Sequence, residues 1–132
     1  MKKFVIILTC IATLFAFVAC ENGFSLKKAT PSDVVEDYYK ALQNGDFEKA
    51  LGYTNLKDST EIQQQAKKMQ DLEMQFSDYE ILNEKISEDD GNTAEVEVKF
   101  KIASAFNKNP EEKTNTHKLV KQDGQWKISV EE

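Results

Sequence analysis

The stretch AEVEVKFKI, Ala94 to Ile102, alternates apolar and charged residues without a break. A period of two puts Ala94, Val96, Val98, Phe100 and Ile102 on one face of a strand and Glu95, Glu97, Lys99 and Lys101 on the other. A strand with one dry and one wet face belongs to an antiparallel sheet that is covered on a single side. Glu95 and Glu97, at i and i+2, therefore read as part of a solvated face rather than as a catalytic carboxylate pair.

Strand signals continue on both sides. Asp89-Asp90-Gly91-Asn92 reads as a hairpin turn, preceded by a strand over Tyr79 to Glu88 with imperfect alternation. The turn lacks the twelve-residue loop and terminal glutamate of a calcium site. Downstream, Asn107 to Lys113 is a polar loop around Pro110, Thr114 to Gln122 a third strand, Asp123-Gly124 a tight turn and Gln125 to Val130 a fourth strand, with Trp126, Ile128 and Val130 sharing a face.

Upstream the period is helical. Thr30-Pro31-Ser32-Asp33 combines a cap, a proline at the first helical position and a capping-box acid. Val34, Val35, Tyr38, Ala41 and Leu42 then recur at helical spacing, and Asn44-Gly45 stops the run. A short helix is expected over Asp46 to Tyr53. A third begins at Asp58 or Ser59, with Ile62, Ala66, Met69, Leu72 and Phe76 on one face. Helices first and strands afterwards indicate an α+β fold, with the helices packed on a curved, four-stranded antiparallel sheet that leaves a cone-shaped interior.

The first twenty residues, MKKFVIILTCIATLFAFVAC, are excluded from the fold. Lys2 and Lys3 precede an apolar run, Phe4 to Val18, that is shorter than the roughly 20 residues a membrane span requires. Phe17-Val18-Ala19-Cys20 resembles a bacterial lipobox. The resemblance implies lipid attachment to the Cys20 sulfur and cleavage between Ala19 and Cys20. The expected organisation is a signal peptide over 1–19, a lipidated cysteine and short tether over 20–29, and one domain over 30–132. A tether of about nine flexible residues reaches about 17 Å, so the domain is expected at the cell envelope, outside the cytoplasm and close to its bilayer. Cys10 falls within the discarded segment, which leaves no disulfide and no thiol metal site.

All 17 basic residues of the chain are lysine. After removal of Lys2 and Lys3, 15 lysines stand against 23 acids, a net charge of −8. Such a surface is repelled by phosphate backbones, and the chain has no arginine to grip phosphates or guanine edges. Nucleic-acid partners are not expected.

The stretch VVEDYYKALQNGDFEKAL, Val34 to Leu51, resembles the opening helices of the nuclear-transport-factor-2-like superfamily, which includes ketosteroid isomerases. Asp123-Gly124-Gln125-Trp126-Lys127-Ile128 is similar to that superfamily's closing turn and strand, whose tryptophan plugs the core. The resemblance places Tyr38 at the position of the oxyanion-donating tyrosine of ketosteroid isomerases. Neither of that enzyme's aspartates has a counterpart here, and a donor without a base moves no proton. His117, the single histidine, lacks the second histidine, thiol or HxxxH spacing of a metal site and is expected to be half-exposed. No cofactor and no metal are expected. Two functions from different classes follow. One is a non-catalytic, lipid-anchored binding or interaction module, with Tyr38, Phe100 and Trp126 as candidate walls of a small apolar pocket. The other is an isomerase or dehydratase using Tyr38 and His117 in the cone. A homodimer through the open sheet face, common in the superfamily, fits either.

Overall fold

The computed structural model describes residues 29–130. The signal segment 1–19, Cys20 and the tether up to residue 28 lie outside the described residues. Within them, three helices, α1 (Pro31–Gln43), α2 (Phe47–Leu51) and α3 (Ser59–Asp71), precede four strands, β1 (Gln75–Ile86), β2 (Thr93–Ala103), β3 (Glu111–Gln122) and β4 (Gln125–Ile128). The strands form one antiparallel meander in the order β1-β2-β3-β4.

Each helix starts where a short polar side chain can satisfy its free amides. For α1 the capping box is complete: Asp33 N–H donates to Thr30 Oγ1 at 3.2 Å, and Thr30 N–H donates to Asp33 Oδ2 at 3.0 Å. Asp46 caps α2 and Asp58 caps α3 by accepting from Lys49 and Thr60 amides at 3.2 and 2.8 Å. The start of α1 is also fastened to the sheet. Glu84 of β1 accepts from the Ser32 amide at 3.1 Å and from the Ser32 hydroxyl, placing a carboxylate at the positive end of the helix.

The α3 helix ends at Asp71, so Phe76 lies in β1 and not on the helical face the sequence suggested. The chain turns at Glu73, which takes a left-handed φ of 51°. Glu73 N–H donates to Gln70 O at 2.9 Å and Met74 N–H to Met69 O at 3.2 Å. These two bonds form a Schellman closure, a position ordinarily held by glycine. With glutamate there, the stop leaves no mark in the sequence.

The imperfect alternation of the first strand also has a cause. The β1–β2 register slips between Ser77 and Glu80 and again between Ile81 and Asn83, each slip placing one extra residue on β1. Asp78 takes a φ of 50° at the first bulge; Leu82 is the extra residue at the second and stands 43% exposed. Such bulges blunt an open edge strand. The opposite edge is covered: Ile128 N–H donates to Tyr53 O and Asn55 N–H to Ile128 O, both at 2.9 Å, so the α2–α3 connection pairs with β4. Asp123-Gly124, with φ of 52° and 79°, makes the primed turn between β3 and β4.

The core lies between α1, α2 and the inner face of the sheet. Val35, Leu42, Ala50, Val96, Val98 and Leu119 are fully buried there. Ala94, Val96, Val98 and Phe100 all point inward, as the alternation requires. Ala66 and the half-buried Ile62 and Met69 carry α3 onto the same cluster, chiefly against α2.

Replacing Glu73 by glycine tests the helix stop. It removes a left-handed penalty of about 1–2 kcal/mol and adds glycine's unfolded-state freedom, about 0.5–1 kcal/mol. Glu73→Gly is expected to raise the urea midpoint slightly, and Glu73→Val to lower it.

Candidate functional site

The interior of the cone is built from one helix and three strands. Spacing of four and three residues puts Val35, Tyr39 and Leu42 on the sheet-facing side of α1, and Tyr39 is 2% exposed. Its ring centroid lies 5.2 Å from Phe100 of β2, 5.8 Å from Tyr79 and 6.4 Å from Phe76 of β1, and 5.6 Å from His117 of β3. His117 reaches this interior because it lies opposite Val96 in the β2–β3 ladder, on the inner face.

The polar contact at the centre joins the Tyr39 hydroxyl to His117 Nε2 at 2.7 Å. Burial, and then the neighbouring Tyr38, pushes the Tyr39 phenol well above its ordinary range. Burial pushes the His117 imidazole below its usual value. Both groups are therefore neutral near pH 7. Each satisfies the other in a setting where an unpaired polar atom is costly. No cluster of three or more His, Cys, Asp or Glu suited to a metal occurs among the described residues.

Tyr38 lies one position, or 100° of helix, away from Tyr39. It is half-buried, with its ring edge-on to His117 at 5.8 Å and to Tyr39 at 5.3 Å. Burial raises its phenol too. The structure thus brings Tyr38 and His117 into contact, but the hydroxyl bonded to His117 belongs to Tyr39, which sequence reasoning passed over. The signal for it was the Val35–Tyr39–Leu42 spacing, obscured by a tyrosine pair in which either member fits an apolar face. Phe100 and Trp126 are both core residues, 8% and 9% exposed. Trp126 stands opposite Lys121, whose Nζ lies 5.6 Å from its ring centroid. Two surface grooves lie at the ends of the sheet, the second sharing Leu42 and Phe76 with this interior. One, of about 620 Å³, is at the β1–β2 hairpin end beside Ile86, Lys118 and Ser129. The other, of about 340 Å³, lies between the end of α1 and the start of β1.

Residues 33–132 match the family model described as the anti-sigma-I factor RsgI9, C-terminal domain. The chain belongs to that family. No curated protein matches it. Among solved structures, it is similar to a protein of Campylobacter jejuni assigned as an NTF2-like transpeptidase, with 20% identity, a TM-score of 0.52, and coverage of 78% of this chain and 100% of that one. It is also similar to an LEH-like epoxide hydrolase of M. tuberculosis, with 16% identity, a TM-score of 0.50, and coverage of 73% and 78%. An NTF2-like protein of unknown function from Cytophaga hutchinsonii matches at 13% identity and a TM-score of 0.47. The fold is nuclear-transport-factor-2-like, as the opening helices and the closing strand suggested.

The lowered imidazole gives a signed pH dependence. Folded His117 holds its proton less tightly than the unfolded chain, whose imidazole titrates near about 6.5. Its contribution to stability is complete above that value and is lost as pH falls below it towards the folded value. Urea unfolding of wild type and His117→Gln is expected to differ most near about pH 7, and the difference to shrink as pH falls below about 6.5.

Proposed function

We propose that the chain is a non-catalytic, lipid-anchored module of the cell envelope that acts by contact with a partner protein. One observation carries this reading: the sheet-facing side of α1 is filled by Tyr39, packed against Tyr38, Phe76, Tyr79 and Phe100 and bonded to His117. A reaction needs room for a substrate and a group that changes protonation at working pH. Here the phenol and the imidazole are both neutral and already satisfy each other. No buried carboxylate accompanies them among the described core residues.

Membership in a family described as the C-terminal domain of an anti-sigma factor supports the same reading. An anti-sigma factor, as its name says, acts on a sigma factor, a protein partner, which agrees with a contact role for this domain. The N-terminal pattern of Lys2-Lys3, an apolar run and Ala19-Cys20 supports an anchored, extracytoplasmic position. No helix among the described residues is long and apolar enough to cross a membrane.

Two measurements test the reading. Cys20→Ser is expected to move the protein from the membrane fraction to the soluble fraction and to abolish labelling by radioactive palmitate. Continued membrane association of the variant rejects the anchor. Turnover of an epoxide or a steroid enone by the purified domain, lost in Tyr39→Phe or His117→Gln, rejects the non-catalytic reading.

A further inference from the structure

The chain enters the fold beside an open sheet edge. Ser32, in the first turn of α1, is bonded to Glu84 of β1 through its amide at 3.1 Å and through its hydroxyl. β1 is an end strand of the sheet. The residues before Thr30 therefore leave the domain at that edge. Bulges at Asp78 and Leu82 blunt its first part. Over residues 83–86 the register with β2 is regular, and no bulge interrupts it. Ser87 N–H donates to Thr93 O at 2.9 Å. Such bonded positions alternate in an antiparallel pair, so Lys85 also faces β2, while the backbone groups of Glu84 and Ile86 face outward. Among the described residues no bond from outside the sheet reaches them. The Ile86 side chain is 41% exposed at the same place. A regular edge of this kind is a pairing site unless something covers it.

The segment that precedes α1 fits this edge in length, pattern and charge. Leu26 lies four residues before Thr30 and Phe24 six, so an extended chain at about 3.3 Å per residue carries them about 13 and 20 Å. Ile86 is two residues beyond Glu84, about 7 Å along the strand. Phe24-Ser25-Leu26-Lys27 alternates apolar and polar residues, which an extended backbone sorts onto opposite sides. The hairpin loop after Ile86 carries Glu88, Asp89 and Asp90, none of them in an ion pair among the described residues. The segment brings Lys27 and Lys28.

We propose that residues 24–28 add to the sheet as a short strand along residues 83–86, with Leu26 against Ile86 and the two lysines beside the acids of the hairpin loop. A segment joined to its site by a short link acts at an effective concentration of about millimolar, so a few backbone bonds and one apolar contact hold it. The docking stands on the edge and the segment alone; its consequence rests on the anchored reading. With Cys20 lipidated, Glu21, Asn22 and Gly23 remain as the free link, which reaches about 10 Å instead of about 17 Å. The β1–β2 hairpin end is then held toward the bilayer. The β2–β3 loop, with its 87% exposed Phe106, stands at the other end of an 11-residue strand, about 36 Å along it.

Amide hydrogen exchange tests the docking, measured on the wild-type chain in mild detergent and on Cys20→Ser. In both, the amides of residues 25–28 and those of Glu84 and Ile86 are expected to exchange about tenfold more slowly than in the double variant Phe24→Ser/Leu26→Ser, a factor equivalent to about 1.4 kcal/mol. Exchange in β2 and β3 is expected to be the same in all of them. Glu88→Lys with Asp89→Lys is expected to lose part of the protection. Equal exchange at Glu84 and Ile86 in wild type and the double variant overturns the proposal, because the segment then does not cover the edge. Protection in detergent that is absent from Cys20→Ser overturns it as well, since the segment is then held by lipid. Protection in both proteins, with membrane association unchanged by Cys20→Ser, rejects the anchor and upholds the docked segment.

Discussion

Helix α1 and the sheet close on each other around Tyr39. The ring touches β1 through Phe76 and Tyr79, and β2 through Phe100, while the hydroxyl reaches His117 on β3. One side chain thus spans the three longest strands from the middle of the first helix. Its burial is favourable because the ring removes a large apolar area from water and the hydroxyl still finds a partner. The same burial pushes the His117 imidazole below its usual value. A single side chain thus links the packing of the first helix to the protonation state of the one histidine.

Much of the architecture could be read before any coordinates. The unbroken alternation from Ala94 to Ile102 gave both the strand and its inner face, because β2 is a central strand, regularly paired on one side and covered on one face. The capping box at Thr30 and the turn at Asp123-Gly124 carry local signals that tertiary packing has no reason to override. Illegible features arose where the backbone departs from its usual residue preferences. Glu73 stops α3 in a conformation that normally advertises itself as glycine, which moved Phe76 from helix to strand. Two bulges shift the period of β1, which hid its first residues. The Tyr38–Tyr39 choice depends on rotation of α1 about its axis by 100°, and that rotation is set by contacts with strands forty to eighty residues away.

The site shows the same division. His117 was visible as the single imidazole, and its Thr and Lys neighbours suggested a half-exposed position, whereas its ring turns inward to Tyr39. Its partner was not visible, because nothing local distinguishes a tyrosine that faces a sheet from one that grazes it. Trp126 and Phe100 were found correctly as inward residues, and the structure places both in packed surroundings rather than beside one of the two surface grooves. Fold alone assigns no activity; that is carried by the side chains of the site.

A filled interior is directly measurable. With aromatic and histidine resonances assigned by NMR, the domain can be titrated with a small apolar probe such as benzene or indole, either of which would enter an apolar cone. The account predicts no saturable change at Tyr39, Phe100 or His117 up to the solubility of the probe. Saturable shifts at those three residues would show that the cone accepts a guest, and would contradict the claim that Tyr39 closes it.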